Sequence, residues 1–334
     1  MLNSKAPWTL PEMLIMYLSE KRTKTRAGCI PACLAAVLCS VVLTLSPGAY
    51  SDNSAAEAGK KLSDPLSDIW ALFTEIDYTW SEGKLTDGKW RSGQAVVFQP
   101  IMPIPFSDNW KLITRPTIPV IVQQDVPAGF NCQFTDCIRQ GPNGFRPVPG
   151  TTINFDNNSG LGDTFMPLML SPNPEKGDKF GWGLGPTFLF PTATDDQLGT
   201  DTWEAGVAGL VTYKTPKLTA FVFPQYWWSY AEDNDAEETS HASILYGAWF
   251  NLPNAWQVGI APSITYDNKA RSDDKWNVPV GLMFAKTVKI GKVPVKFQWG
   301  AEKSIVRQEA YGKDWMIRFN IIPVIPGLFK KPLF

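Results

Sequence analysis

The feature of this sequence that most limits its fold is an alternation of apolar and polar side chains in segments of roughly ten residues. In the segment 70–80 the even-numbered residues are aromatic or aliphatic apart from Thr74, and the odd-numbered ones include Glu75 and Asp77. A strand puts two such sets on opposite faces, whereas a helix would scatter both around its circumference. Ten steps of ~3.3 Å, tilted by ~40°, rise by ~25 Å, the height of the apolar band of an outer-membrane barrel.

The alternation recurs along most of the chain. Clear segments begin at Trp110, Phe180, Trp203, Leu218, Trp256, Trp276, Val295 and Trp315, and weaker ones cover 92–102, 160–170 and 240–251. Together they make about twelve strands, an even number, as single-chain bacterial barrels require. The sequence therefore predicts an all-β fold, a transmembrane antiparallel up-and-down β-barrel of about twelve strands.

The connections between these segments supply an independent test, because long and short ones alternate. The long ones are 82–91, 123–159, 191–202, 231–239, 267–275 and 306–313, and the short ones are 103–109, 171–179, 214–217, 252–255 and 287–293. A barrel with short periplasmic turns and longer external loops alternates in this way when both termini are periplasmic. A soluble sandwich has no reason to do so.

Composition narrows the class of partner. Charged residues make up 19% of the chain, aromatic residues 13% with 14 Trp, and the formal net charge is −1. A protein that binds nucleic acid needs a basic face to neutralise phosphates, so this balance gives no support for such a partner. Few charges and many Trp suit a surface that faces lipid, although a large soluble core has the same composition.

The N-terminal region carries the pattern of a secretory signal peptide. A basic cluster over 21–26 precedes an uncharged stretch over 27–51, and Ala49-Tyr50-Ser51 provides the small-x-small ending. The alternative is an uncleaved anchor helix, which Pro31 and Pro47 make less favourable. We therefore expect four regions: a leader and signal peptide over 1–51, a periplasmic N-terminal segment over 52–68, the barrel over 69–324 and a tail over 325–334.

Cys132 and Cys137 are the two cysteines that follow the predicted signal peptide. Spaced five apart in a loop of an exported chain, they predict one local disulfide. A metal site is the alternative, but no His or second Cys pair lies close by in the sequence to complete four ligands.

In lipid the apolar face of each strand points outward and the polar face lines the lumen. This rule yields twelve candidate lumen-lining residues: Glu75, Asp77, Lys111, Arg115, Asp163, Glu204, Gln225, Gln257, Lys296, Gln298, Glu302 and Arg318. Both signs of charge occur, so ion pairs are expected. These groups either brace the lumen as structural salt bridges or line a solute path and set its selectivity.

Prolines are the main feature that conflicts with a barrel. Seven of them fall inside the predicted strands, namely Pro100, Pro116, Pro119, Pro186, Pro224, Pro262 and Pro279. Proline donates no hydrogen bond to a ladder, so we expect these residues at bulges or strand ends.

Several stretches resemble a family of bacterial outer-membrane barrels regarded as transporters and labelled neuromedin-U-like or phenol-degradation (MetA-pathway) proteins. The resemblance lies in Pro65-Leu66-Ser67-Asp68, in 99–103 through 109–116, in Gly160-Leu161-Gly162-Asp163, in 183–194 and in Gln225-Tyr226-Trp227-Trp228-Ser229. It covers roughly residues 65–320 and implies a membrane barrel that passes small, aromatic or hydrophobic compounds. The loop 123–159 and the C-terminal tail depart from the family pattern.

Enzymatic chemistry has little support in the sequence. The single His, His241, lies near the end of a strand with Ser240 and Ser243 nearby, and no Gly-x-Ser-x-Gly elbow exists. A solvated His at a loop end is the simpler interpretation, and an external hydrolase around His241 is the alternative. The acidic run 232–238 is interpreted as a solvated loop, with weak calcium binding as the alternative.

The functional prediction is a channel or facilitator of the outer membrane for small solutes, with no cofactor and no metal. A plugged barrel with a structural or adhesive role is a further alternative. The expected partners are outer-membrane lipid and lipopolysaccharide, a small-molecule solute and the barrel-assembly machinery, for which Phe334 could be the terminal aromatic signal.

Overall fold

The computed structural model describes residues 53–86, 88–130, 138–141, 144–147, 153–175, 177–232, 237–329 and 331–333. The predicted signal peptide and the pair Cys132 and Cys137 lie outside these residues, so both stay predictions.

One helix precedes the strands. It is α1 (Asn53–Leu62), and two short 3-10 helices span Lys84–Thr86 and Ser272–Asp274. The strands are β1 (Ala71–Glu82), β2 (Arg91–Pro105), β3 (Trp110–Thr114), β4 (Ile118–Phe130), β5 (Ile138–Gly141), β6 (Gly144–Pro147), β7 (Ile153–Leu161), β8 (Thr164–Pro172), β9 (Phe180–Phe190), β10 (Thr202–Lys214), β11 (Leu218–Glu232), β12 (Ser240–Asn251), β13 (Trp256–Ile260), β14 (Ser263–Asp267), β15 (Trp276–Ile290), β16 (Val293–Val306) and β17 (Gly312–Pro323).

All of these strands except β5 and β6 form a closed antiparallel barrel of 12 strands. The number is 12 because three barrel strands are each made of two shorter ones: β3 continues into β4, β7 into β8, and β13 into β14. The first and last strands close the sheet, with pairs running from Thr74↔Ile321 to Glu82↔Gly312. The small hairpin of β5 and β6 is a separate sheet. The predicted fold and strand number are confirmed.

Side-chain exposure alternates as a lipid-facing barrel requires. Along β10, Val207 and Val211 are 55% and 56% exposed, whereas Ala208 and Thr212 are fully buried. Exposed apolar side chains in the middle of strands have no favourable partner in water, so this surface is suited to hydrocarbon. The lumen is the buried side.

The turns at one end of the barrel are shorter than most connections at the other. The end that holds α1 and the described C-terminal residues has the turns 106–109, 173–179, 215–217, 252–255 and 291–292. The opposite end has longer connections such as 191–201 and 268–275. We call the first the periplasmic end and the second the external end.

The prolines follow the prediction only in part. Pro116 and Pro262 lie at the breaks between β3 and β4 and between β13 and β14, and Pro279 lies at a bulge. Pro100, Pro186 and Pro224 instead sit inside regular paired registers, opposite Leu72, Val207 and Ile244. For those residues the expectation of bulges or ends is wrong, because proline has no N–H of its own that a regular register could leave unpaired.

The C-terminal residues cover Trp70 at the periplasmic end. Ile325 N donates to Trp70 O at 2.9 Å, and the Phe329 ring lies 6.0 Å from the Trp70 ring. The Trp70 indole nitrogen donates to Pro103 O at 3.0 Å. Trp70 is therefore buried beneath the tail, although the alternation over 70–80 places it on the apolar, lipid-facing side of the strand.

We predict that Leu282→Arg, in the middle of β15, destabilises the barrel by ~2–4 kcal/mol, because the guanidinium would enter hydrocarbon. Leu252→Arg is the matched control, since Leu252 lies in a periplasmic turn and is 46% exposed against 51% for Leu282. Urea unfolding of the barrel refolded in lipid vesicles measures both. Equal losses would contradict the assignment of the outer face to lipid.

Candidate functional site in the lumen

Five of the predicted lumen residues form one charged group around Arg318, which we call the arginine cluster: Glu75, Asp77, Arg115, Glu302 and Arg318. Arg318 Nε lies 2.9 Å from Asp77 Oδ1 and 3.2 Å from Glu75 Oε2, and Arg318 Nη1 lies 3.4 Å from Glu302 Oε1. The register explains the meeting, because Asp77 and Arg318 are direct partners across the closing pair β1 and β17.

The arginine cluster is incompletely satisfied. Three carboxylates face two guanidiniums, and Arg115 packs its guanidinium over the Phe73 ring at 4.8 Å. Among the described residues, Arg115 Nε, Glu302 Oε2 and Asn320 Oδ1 are buried without a hydrogen-bond partner. A cavity of about 70 Å³ adjoins Arg115 and Asn320, and its lining includes Arg318, Phe221 and Trp249. It is large enough to hold water or a small polar group beside these atoms.

A second group lies nearer the external end. His241 Nε2 lies 2.6 Å from Glu204 Oε2, and Glu204 Oε1 accepts hydrogen bonds from Thr239 Oγ1 at 2.7 Å and Thr202 Oγ1 at 3.0 Å. The Trp227 ring stacks on His241 with centroids 5.2 Å apart. His241 therefore points into the lumen, and its interpretation as a solvated loop residue is wrong.

A third group surrounds the segment between α1 and β1 at the periplasmic end. Lys111 Nζ donates to Leu66 O and Asp68 Oδ1, both at 2.6 Å. Lys296 is fully buried, donates to Ser63 Oγ at 2.5 Å and lies 4.5 Å from the centroid of the Trp249 ring. The segment predicted to be merely periplasmic thus packs inside the mouth of the barrel.

The three predicted glutamines are bonded within the lumen. Gln225 Oε1 accepts from Thr187 Oγ1 at 3.2 Å, and Gln298 Oε1 accepts from Asn320 Nδ2 at 2.8 Å. Gln257 Oε1 accepts from Ser63 Oγ at 3.2 Å.

Asp163 takes a different place from the other candidates. It accepts hydrogen bonds from the loop 191–201, through Ala193 N at 3.1 Å and through Thr200 N at 2.7 Å. It therefore holds an external connection in place at the break between β7 and β8.

Several lumen residues escaped the sequence analysis. Apolar side chains from facing walls meet in the interior, among them Met169, Leu210, Phe221, Phe223, Trp249 and Met283. The pair Trp227-Trp228 carried a signal, because neighbouring residues of a strand face opposite sides and one Trp must point inward. The polar face is thus less polar than predicted, and the described lumen is largely filled.

The external loops are joined by an exposed ion pair. Lys269 Nζ lies 2.8 Å from Glu238 Oε2, and this hydrogen bond and charge lower the pKa of Glu238. Positions 233–236 of the acidic run lie outside the described residues. In the described part of the chain no cluster of His, Cys, Asp or Glu is arranged to hold a metal ion, and no helix is long and apolar enough to cross a membrane.

We predict that Arg318→Met destabilises the barrel by ~3–5 kcal/mol, because buried Asp77 and Glu302 lose the guanidinium with which they pair. Adding Glu75→Gln and Asp77→Asn to that variant recovers part of the loss. Lys269→Met, which removes a cation from an exposed pair, leaves unfolding unchanged within error. Denaturant titration of all three variants is the measurement, and an Arg318→Met midpoint equal to that of Lys269→Met would contradict the role of the cluster.

Solved structures that match this chain include an outer membrane channel, a porin and an outer membrane phospholipase. The crystal structure of the COG4313 outer membrane channel from Pseudomonas putida F1 matches with a TM-score of 0.53 at 10% identity, covering 77% of this chain and 96% of that one. A NanC porin structure matches at 0.42 with 9% identity, covering 76% and 99%. Outer membrane phospholipase A from Escherichia coli matches at 0.38 with 8% identity, covering 81% and 99%.

Only the first of these three scores exceeds 0.5, and at such low identity it shows the shared fold. No curated protein matches the sequence. A family model described as "Putative MetA-pathway of phenol degradation" matches residues 101–304, which is more than half of the chain. The apolar outer belt, the closed sheet and the family agree with a place in a bacterial outer membrane. The chain belongs to the phenol-degradation MetA-pathway family of outer-membrane β-barrels.

Proposed function

We propose that this protein is an outer-membrane channel that lets small solutes cross passively. The observation that carries the proposal is the placement of ionisable groups on the inner wall of a barrel whose outside is apolar. Charged groups inside a membrane-spanning structure are costly, and they commonly mark a solute path. The fold shared with the COG4313 channel supports this function over a purely structural role.

The solutes that the lumen suits are small and partly aromatic or hydrophobic. The lining of the cavity beside the arginine cluster is partly aromatic, from Phe221 and Trp249, and partly cationic, from Arg115 and Arg318. A molecule with an aromatic body and one polar end would match both. In the structure described here the lumen is filled, so passage requires an element to move.

The remaining partners are part of the proposal. An outer-membrane position brings the exposed belt into contact with lipid and lipopolysaccharide, and the assembly machinery of that membrane would insert the barrel. The lumen-lining role of the predicted residues, apart from Asp163, and the disulfide between Cys132 and Cys137 belong to the same proposal.

Purified protein in planar bilayers should give ion conductance, and reconstituted liposomes should swell in small neutral or aromatic solutes. Heat-denatured protein carried through the same reconstitution is the control. Absence of both conductance and swelling from correctly folded protein, judged by its heat-modifiable mobility, would favour a plugged structural or adhesive barrel.

The hydrolase alternative rests on His241 with its carboxylate partner Glu204. A nucleophilic serine would have to hydrogen-bond the other ring nitrogen. Ser243 shares the inward face with His241, but its hydroxyl pairs with Ser263 Oγ at 2.8 Å. We therefore expect His241→Ala and the parent protein to show the same background hydrolysis of phospholipid and ester substrates. Hydrolysis by the parent protein that the His241→Ala variant lacks would support the hydrolase alternative.

A further inference from the structure

The segment 53–69 lies inside the periplasmic mouth, and we call it the N-terminal plug. Helix α1 packs against β15 and β16 and buries Ala55 and Ala58. A Cβ atom built on Gly59 would lie 3.3 Å from Thr287 Cβ on the wall. Beyond the helix, Leu66 enters the apolar cluster of the lumen. The plug is thus docked by close contact along its length.

Three lysines on separate walls bind the plug: Lys111 on β3, Lys214 on β10 and Lys296 on β16. Lys111 pairs with Asp68 at 2.6 Å, and Lys214 pairs with Asp64 at 2.8 Å. Among the described residues, the carboxylates within 4 Å of these two ammonium groups belong to the plug. The structure therefore already shows carboxylates bound by the lysines of the mouth.

Lys296 has no carboxylate partner among the described residues. Its fully buried ammonium group donates a hydrogen bond to the Ser63 hydroxyl and lies over the face of the Trp249 ring. A buried cation without a counter-charge is costly. An anion that entered the mouth would relieve this cost.

The plug leaves space beside these lysines. A cavity of about 380 Å³ is lined by Leu66, Lys111, Lys214 and Phe180, and one of about 250 Å³ is lined by Asp64 and Lys214 among others. On the inner side of the plug lies the cavity beside Arg115 and Arg318. Displacing the plug would join these spaces into one path that passes Lys111 and Lys214 before it reaches the arginine cluster.

We propose that the N-terminal plug is a gate, and that its displacement exposes Lys111, Lys214 and Lys296 as a filter for small carboxylates. Such a solute takes the places that Asp64 and Asp68 occupy in the closed state, and its binding favours the open state by mass action. Fixed cations lining a pore favour anions over cations. This inference rests on the proposed channel function and adds its gate and its class of solute.

The gate is tested by locking the plug with Gly59→Cys and Thr287→Cys. The separation of 3.3 Å is within a few tenths of an ångström of disulfide geometry. Among the described residues, the Thr287 hydroxyl has no hydrogen-bond partner to lose. Conductance is recorded in planar bilayers with the bridge intact and after dithiothreitol, and the parent protein treated in the same way is the control. We expect the oxidised variant to stay closed and reduction to restore openings to the parent frequency. Addition of potassium acetate should then make the openings of the reduced variant more frequent.

The filter is tested on the same openings by the reversal potential in a gradient of KCl. We expect chloride to be preferred severalfold over potassium, and this preference to fall towards unity in Lys111→Gln/Lys214→Gln. Lys217→Gln is the matched control, because Lys217 lies at the same mouth in an exposed turn. It should leave selectivity unchanged.

The outcomes distinguish a failure of the gate, of the filter and of the channel function. Openings that are equally frequent with the bridge intact would overturn the gate. Openings that appear on reduction but prefer potassium, or that ignore the two lysines, would overturn the filter. Absence of conductance from the parent protein and from every variant would instead contradict the channel function, on which the gate and the filter both rest.

Discussion

The pairing of β1 with β17 is the constraint on which the rest of the structure depends. Hydrocarbon supplies no hydrogen bonds, so a sheet that crosses a membrane must leave no free edge. Once the sheet closes, each strand has one side towards lipid and one towards a narrow interior. The alternation of exposed Val207 and Val211 with buried Ala208 and Thr212 follows directly from this geometry.

A closed barrel of this size has an interior that side chains can fill, and this chain fills it in two ways. Apolar groups such as Phe221 and Trp249 meet across the lumen, and charged groups are brought together at the arginine cluster. The N-terminal plug completes the packing by bringing Asp64 and Asp68 to lysines of the wall. An intramolecular segment thereby neutralises charges that would otherwise face an open path, which links the stability of the closed state to the chemistry of the solute.

The sequence predicted the fold well because the period of two residues and the alternation of loop lengths are local features. It could place Asp77 and Arg318 on the inner face, but their contact depends on closure between strands that lie more than two hundred residues apart. The prediction failed for His241, because the sequence does not show that its ring hydrogen-bonds to Glu204 on β10 inside the barrel. It also missed the plug, since residues 53–69 have no strand pattern, and their position depends on three lysines from distant strands.

The most direct test of the account is a scan of spin labels along β10, with all five native cysteines replaced by serine and single cysteines introduced from 203 to 212. Collision with oxygen reports hydrocarbon, and collision with a water-soluble nickel chelate reports water. We predict that odd positions, including 207 and 211, are accessible to oxygen and shielded from nickel, and that even positions are shielded from both. Odd positions that nickel reaches, or accessibility without a period of two, would contradict a barrel with its apolar side in lipid and its lumen closed.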